Sequence, residues 1–374
     1  MRGEIVRAAL LGLGAWARVL ATAAAGAPGL RISHCWGRNA QRLDAFAREF
    51  GLVACQSLES ILDDPDIDAV LIALPNDLHY PFARRAAEAG KHVYLEKPIA
   101  QTLLDGLRVA ELERAQGIRV AVGHCARLLA GNRILHERLR AGDLGQVNLI
   151  EGTFSNDRGL RLTPADWRFY QASAPGGPLS QIAIHQFDTL RYLGGEIASV
   201  SAIAARRSPV GAEVEDEWLV HLRFASGALG QVTTSWTSPG IYRVQVSGDA
   251  AQLCYEVDQA LWGRPERLHE GATLYRQPRG GGPREREPLA VPAGNMFREE
   301  LALFARSVLD GTACELSADN GCHALAVVVA AGESAAAAGR AVELSDVFAR
   351  ARQSVDGVPA ALAGSHPARL ETSA

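Results

Sequence analysis

Three groups of residues in this chain have the types and spacing to do chemistry. The first is Gly12-Leu13-Gly14-Ala15-Trp16-Ala17, two glycines and an alanine in the pattern Gly-x-Gly-x-x-Ala. Between a strand and a helix, such a turn needs Gly12 for its tight path, Gly14 so that a pyrophosphate can approach the main chain, and a small Ala17 for close packing. The helix that follows offers N–H donors and a favourable dipole, so a dinucleotide is the expected ligand. The second group is Glu96-Lys97-Pro98, a lysine at the end of an apolar run, placed to polarise a carbonyl or steady an alkoxide. The third is Gln181, His185 and Asp188, which share one face of a helix at i, i+4 and i+7. Histidine changes charge most readily near neutrality, which makes His185 the candidate general base for a hydroxyl proton. Each group also has a plainer reading: a structural glycine turn, a surface lysine before a turn proline, a satisfied core histidine.

The elements that must hold these residues are legible as patterns. Short β-rich apolar runs alternate with amphipathic stretches over the first hundred-odd residues, the sequence form of parallel βαβ units. Strands are expected at Val6–Leu11, Leu30–Trp36, 69–73, His92–Leu95 and 119–123, and helices at 18–25, Ala40–Phe50, 80–89 and Leu103–Gln116, the last three followed by Gly51, Gly90 and Gly117 as stop signals. After His124 the character changes. A helix at 133–140, a strand at 146–154, a Gly/Pro-rich turn and a helix at 179–193 lead into strands at 214–224, 228–236 and 242–247 that alternate with period two, as antiparallel meanders do. Helical patterns return at 296–309 and 319–338 after an exposed loop at 277–283. The expected fold is an α/β Rossmann domain with a doubly wound parallel sheet over 1–124, then an α+β substrate and oligomerisation domain with an open, mostly antiparallel sheet over 125–345. A C-terminal tail of a short helix and small residues is expected over 346–374.

Composition narrows the partners. The 374 residues suit two domains, and a formal charge of -4 from 38 basic and 42 acidic residues leaves no excess to hold nucleic acid or anionic lipid. The six cysteines, Cys35, Cys55, Cys125, Cys254, Cys314 and Cys322, lack paired metal spacing, and no metal site is expected. The apolar start is broken by Arg18 and carries Glu4, so it does not read as a secretory signal, and no run is long enough to span a membrane. The chain reads as cytoplasmic.

NAD sites end their second strand with an acid for the adenine ribose 2′-hydroxyl; here the sequence is Trp36-Gly37-Arg38-Asn39. With no carboxylate to repel a 2′-phosphate, and with Arg38 able to bind it and stack on adenine, NADP is favoured over NAD. The plainer reading of Arg38 is a surface residue beside a turn.

Glu96-Lys97-Pro98, preceded by Pro75-Asn76-Asp77-Leu78-His79 and Ala89-Gly90-Lys91-His92-Val93, resembles the glucose–fructose oxidoreductase / inositol dehydrogenase (Gfo/Idh/MocA) family, over Val6 to roughly Leu344. The resemblance implies that Lys97 contacts the substrate hydroxyl and the nicotinamide ribose, and that Leu74, Pro75, Asn76, His79 and Glu96 border the nicotinamide half of a cofactor whose phosphates meet Gly12, Gly14, Ala15 and Trp16. Trp16 would cover the cofactor; Gly37 and Arg38 would take its adenosine end. Many relatives carry aspartate where this chain has Gln181, a neutral amide able to orient His185 without countercharge. Asp188 either replaces that carboxylate, binds a substrate hydroxyl or pairs with Arg191. Arg127, Trp167 and Arg168 offer the planar donors and aromatic face of a sugar site, or serve as surface and interface residues. The function implied is hydride transfer between NAD(P) and a secondary alcohol or carbonyl of a sugar, cyclitol or related polyol, in a homodimer or homotetramer. Two other readings stay open: a glycoside hydrolase that retains NAD, and a non-catalytic dinucleotide-binding regulator.

Overall fold

The computed structural model describes residues 4–356. Its first layer is built from β1 (Val6–Leu11), α1 (Ala15–Ala24), β2 (Leu30–Trp36), α2 (Ala40–Phe50), β3 (Val53–Cys55), α3 (Glu59–Leu62), β4 (Ala69–Ile72), α4 (His79–Glu88), β5 (His92–Leu95), α5 (Leu103–Gln116) and β6 (Val120–Val122). The six strands are all parallel in the order β3-β2-β1-β4-β5-β6. Strand order reverses between β1 and β4, and the crevice at their carboxyl ends is where an open α/β sheet binds ligands. Both strands are almost wholly buried, because helices cover both faces of a parallel sheet.

The second half runs through α6 (Ala130–Arg140), β7 (Val147–Ser155), α7 (Ile184–Gly194), β8 (Ile197–Ala205), β9 (Glu217–Phe224), β10 (Leu229–Ser235), β11 (Ile241–Gly248), β12 (Ala251–Val257), β13 (Ala272–Pro278) and β14 (Glu287–Pro288). It then passes through α8 (Met296–Asp310) and α9 (Ala318–Ala336) to β15 (Val342–Glu343) and α10 (Leu344–Asp356). The nine strands run β14-β13-β12-β11-β7-β10-β9-β8-β15, antiparallel except where β7 lies parallel to β10. Along β9, Trp218, Val220, Leu222 and Phe224 point inward and Leu219, His221 and Arg223 outward, the alternation of a sheet with one covered face. Helices α7 and α9 pack on this sheet, and α9 also lies against α5 and β6 of the first layer.

Several boundaries differ from the sequence reading for identifiable reasons. Helix α1 starts at Ala15, directly after the glycine turn, and α6 starts at Ala130. Strand β3 and the single turn α3 carry no periodic signal: β3 has three residues, and its Val53 is exposed. The strand placed at 214–224 begins at Glu217, because Asp216 accepts bonds from the Arg207 and Ser208 amides and closes a loop there. The helix at 179–193 begins with a π turn over Leu179–Ala183. The short helix expected from 346 is α10, which begins at Leu344 and buries Leu344 and Val347 in the core; positions 357–374 lie outside the described residues. Among the described residues no helix is long and apolar enough to cross a membrane, and no cluster of His, Cys, Asp and Glu could hold a metal ion.

One turn in this frame has no alternative residue. Gly12 has φ +113°, and a Cβ there would lie 2.4 Å from the Ala73 carbonyl oxygen, where the chain leaves β4. Gly12→Ala is therefore expected to cost on the order of 1–3 kcal/mol in backbone strain, and to weaken dinucleotide binding, read as a lower melting temperature together with a weaker binding isotherm.

Candidate active site

The glycine turn has the form of a phosphate cradle. Gly14 and Ala15 are exposed, a Cβ on Gly14 would meet nothing within 4 Å, and Gly14 caps α1 with no side-chain bond, so the first amides of that helix are left to a ligand. At the end of β2, Gly37 admits the Leu13 side chain, which a Cβ would meet at 2.4 Å. Asn39 is committed to capping α2 through the Arg42 amide at 2.9 Å. Arg38, between them, is exposed. Trp16 is half-buried with its ring 5.9 Å from Phe297 of α8, so it anchors α8 on the first layer.

The loops after β4 and β5 are tied together from beneath. His79 is fully buried; its Nδ1 lies 2.9 Å from the Pro98 carbonyl and its Nε2 2.9 Å from the Leu74 carbonyl. It thus holds the Leu74-Pro75-Asn76 loop against the Glu96-Lys97-Pro98 turn instead of presenting its ring to a cofactor. Glu96 is buried near Glu300 of α8, and burial raises its carboxyl to about 7; Glu300 is also pushed up, by burial and then by Glu96. Two carboxyls in one dry place cannot both ionise cheaply, so protons reside on this pair.

Lys97 projects from the turn and donates to the Gln181 backbone carbonyl at 2.7 Å. Burial, opposed by Glu96 and helped by Arg168 and Arg158, lowers its ammonium to about 8. The two arginines come from the loop between β7 and α7, where Arg168 stacks 4.1 Å over the Trp167 ring. Gln101 pins that loop over the turn by donating to the Ala172 carbonyl at 3.0 Å. Trp167 is exposed and Arg168 half-buried, so both stay accessible to a small molecule. Neither Arg158 nor Arg168 forms an ion pair among the described residues.

His185 opens the α-helical part of the third group and is 4% exposed, lined by Phe154 and Trp262 at ring distances of 6.1 and 6.0 Å. Burial first, then Lys97 and His124, hold its pKa well below the ordinary value, so the ring is neutral and able to accept a proton. Its helix neighbours do not serve it as the spacing suggests. The π turn places the Gln181 carbonyl on Lys97, while the Gln181 amide reaches the Ser180 hydroxyl at 3.5 Å. Asp188 is gripped by Arg127 through Nε at 2.8 Å and Nη2 at 2.5 Å, both residues at most 4% exposed. Arg127 and Asp188 therefore form a buried ion pair and not a sugar site, and Arg191 pairs with Glu196.

One residue of this cleft goes unnoticed in the sequence. His124 follows β6, is 1% exposed, and meets the His185 ring edge to face at 6.3 Å. The available signal was its place at the carboxyl end of a parallel strand, the position that faces the crevice.

This arrangement, a phosphate cradle across a strand-order switch from a lysine and a histidine, has close parallels. Residues 6–124 match the oxidoreductase family with an NAD-binding Rossmann fold, and residues 132–254 match the GFO/IDH/MocA C-terminal domain. The chain is 34% identical over 243 residues to scyllo-inositol 2-dehydrogenase (NAD(+)) of Bacillus subtilis, covering 63% of this chain and 68% of that enzyme. It is 27% identical over 344 residues to 1,5-anhydro-D-fructose reductase of Ensifer adhaerens, covering 90% and 97%. A solved structure from Desulfitobacterium hafniense, described as an NADPH-dependent oxidoreductase, superimposes with a TM-score of 0.88 at 30% identity, covering 92% of this chain and 99% of that one. The chain belongs to the Gfo/Idh/MocA family of oxidoreductases that use a nicotinamide dinucleotide.

Proposed function

We propose that this enzyme interconverts a secondary alcohol and a carbonyl on a sugar, cyclitol or related polyol, with NADP as the favoured dinucleotide. The observation that carries the reading is the convergence of the Lys97 ammonium and the neutral His185 on one cleft beside the cradle at Gly12 and Gly14. The nicotinamide supplies the hydride acceptor or donor. Lys97 steadies charge developing on the substrate oxygen, and His185 takes or returns the hydroxyl proton. Trp167 and Arg168 offer the substrate an aromatic face and a fork of donors. The dinucleotide choice rests on Gly37 and Arg38, where no carboxylate stands against a 2′-phosphate. Assembly as a dimer or tetramer is supported by the outer face of the nine-stranded sheet, which exposes Ile203, Leu219 and Leu229.

His185→Asn and Lys97→Met should each lower kcat for polyol oxidation by about 10²–10⁴-fold, with dinucleotide titrations of His185→Asn near native; full activity in both variants, followed by dihydronicotinamide absorbance, would sink the assignment. Arg38→Glu should raise Kd for NADP far more than for NAD. The pH dependence follows from Lys97. Its folded value is depressed to about 8, so the ammonium is present below that pH, and carbonyl reduction should fall as pH rises through it. Arg168→Met removes a neighbouring positive charge, and the alkaline limb should then move to higher pH.

A further inference from the structure

We infer that His124 is the positioning residue of the proton-handling histidine, filling the role that no group on the His185 helix fills. The inference rests on the reading of His185 as the base. The His185 Nδ1 is buried with no protein partner, and its two expected orienters are engaged elsewhere, the Gln181 amide with Ser180 and Asp188 with Arg127. Beside Lys97, whose ammonium has no lone pair to offer, the polar side chain that meets it is His124, edge to face with 6.3 Å between ring centres.

A second histidine in the same cleft shows what a purely structural ring looks like here. His79, equally buried, has a backbone carbonyl at each ring nitrogen. His124 has a protein partner at neither nitrogen, although both atoms are buried. An unsatisfied buried polar atom costs about 1–3 kcal/mol, a cost that packing alone does not recover. The backbone around His124 is fixed, with its amide donating to the Val122 carbonyl at 2.7 Å and the Gly123 amide to the Leu95 carbonyl at 2.8 Å. At this ring separation the facing nitrogens stay beyond direct hydrogen-bond reach, and one bridging water completes an Nδ1–H donation from His185 to His124. Nε2 of His185 is then the nitrogen that keeps its lone pair, which selects the tautomer able to accept a proton.

Burial keeps both rings neutral, and the charges around them act on top of it. Lys97 and His124 face His185, while Asp188, Arg127 and Lys97 face His124, whose pKa burial lowers to about 4. In the oxidation direction the hydroxyl proton passes to Nε2 of His185, and a nicotinamide held at the glycine cradle would take the two electrons from the carbinol carbon as hydride. The imidazolium then loses its proton to solvent, restoring the base, and His124 keeps its own proton throughout.

The test compares His124→Phe, which keeps the ring volume, with His124→Gln, which keeps an acceptor. Phe should lower kcat on the order of 10-fold or more, move the acid limb of kcat to lower pH, and leave KM, dinucleotide affinity and melting temperature near native. Gln should restore most of the rate. A native rate and pH profile in the Phe variant overturn the inference, as does an equal loss in both variants with a lowered melting temperature. If His185→Asn abolishes turnover while His124→Phe is silent, this inference alone fails; if His185→Asn is fully active, the reading of the base fails with it.

Discussion

The site depends on one hydrogen bond that crosses from the parallel sheet's half of the molecule to the other: Lys97 Nζ to the Gln181 carbonyl. A backbone carbonyl fixes the ammonium's position without neutralising it, so the charge stays available to a substrate oxygen. A carboxylate in that place would quench it, as Asp188 does for Arg127. The bond also needs the π turn before α7, since that widened turn is where the Gln181 carbonyl meets the lysine.

Charge in the cleft is distributed accordingly. Burial weighs most against the Lys97 ammonium, Glu96 opposes it, and Arg168 and Arg158 add to it; Arg168 is held down in turn by burial and then by Arg158. The two imidazoles are neutral. A substrate oxygen that gains negative charge during reaction enters a place already short of anions, which is preorganised stabilisation of the kind that needs no rearrangement.

Much of this was legible in the residues. The glycine turn, the strand ends that carry Lys97, and the alternating strands of the second sheet follow from local spacing, because period and glycine placement are local properties. Contacts between segments distant in the chain were not legible. Arg127 and Asp188 look like separate sugar ligands in the sequence and become partners only when the short turn Cys125–Leu128 after β6 meets α7. His79, at a position that matches a nicotinamide contact, serves as a buried clamp, and Gln181 acts through its main chain. His124 was passed over as a boundary residue, since a histidine's environment is a matter of tertiary packing.

The C-terminal helices give the molecule a further property. Although the chain leaves the parallel sheet at residue 124, α8 returns to pack on α1, β1 and β2, while α9 and α10 return to α5. Leu301 and Phe304 of α8 are fully buried, so a fragment ending after β6 would leave apolar surface of the first layer bare. The two sheets are thus laced together by α8, α9 and α10, which follow the strands β7 to β14 in the chain. The glycine turn of the cradle is read from Gly12 to Ala17 alone, yet the helix it opens takes its packed support from α8, which comes after β14 in the chain.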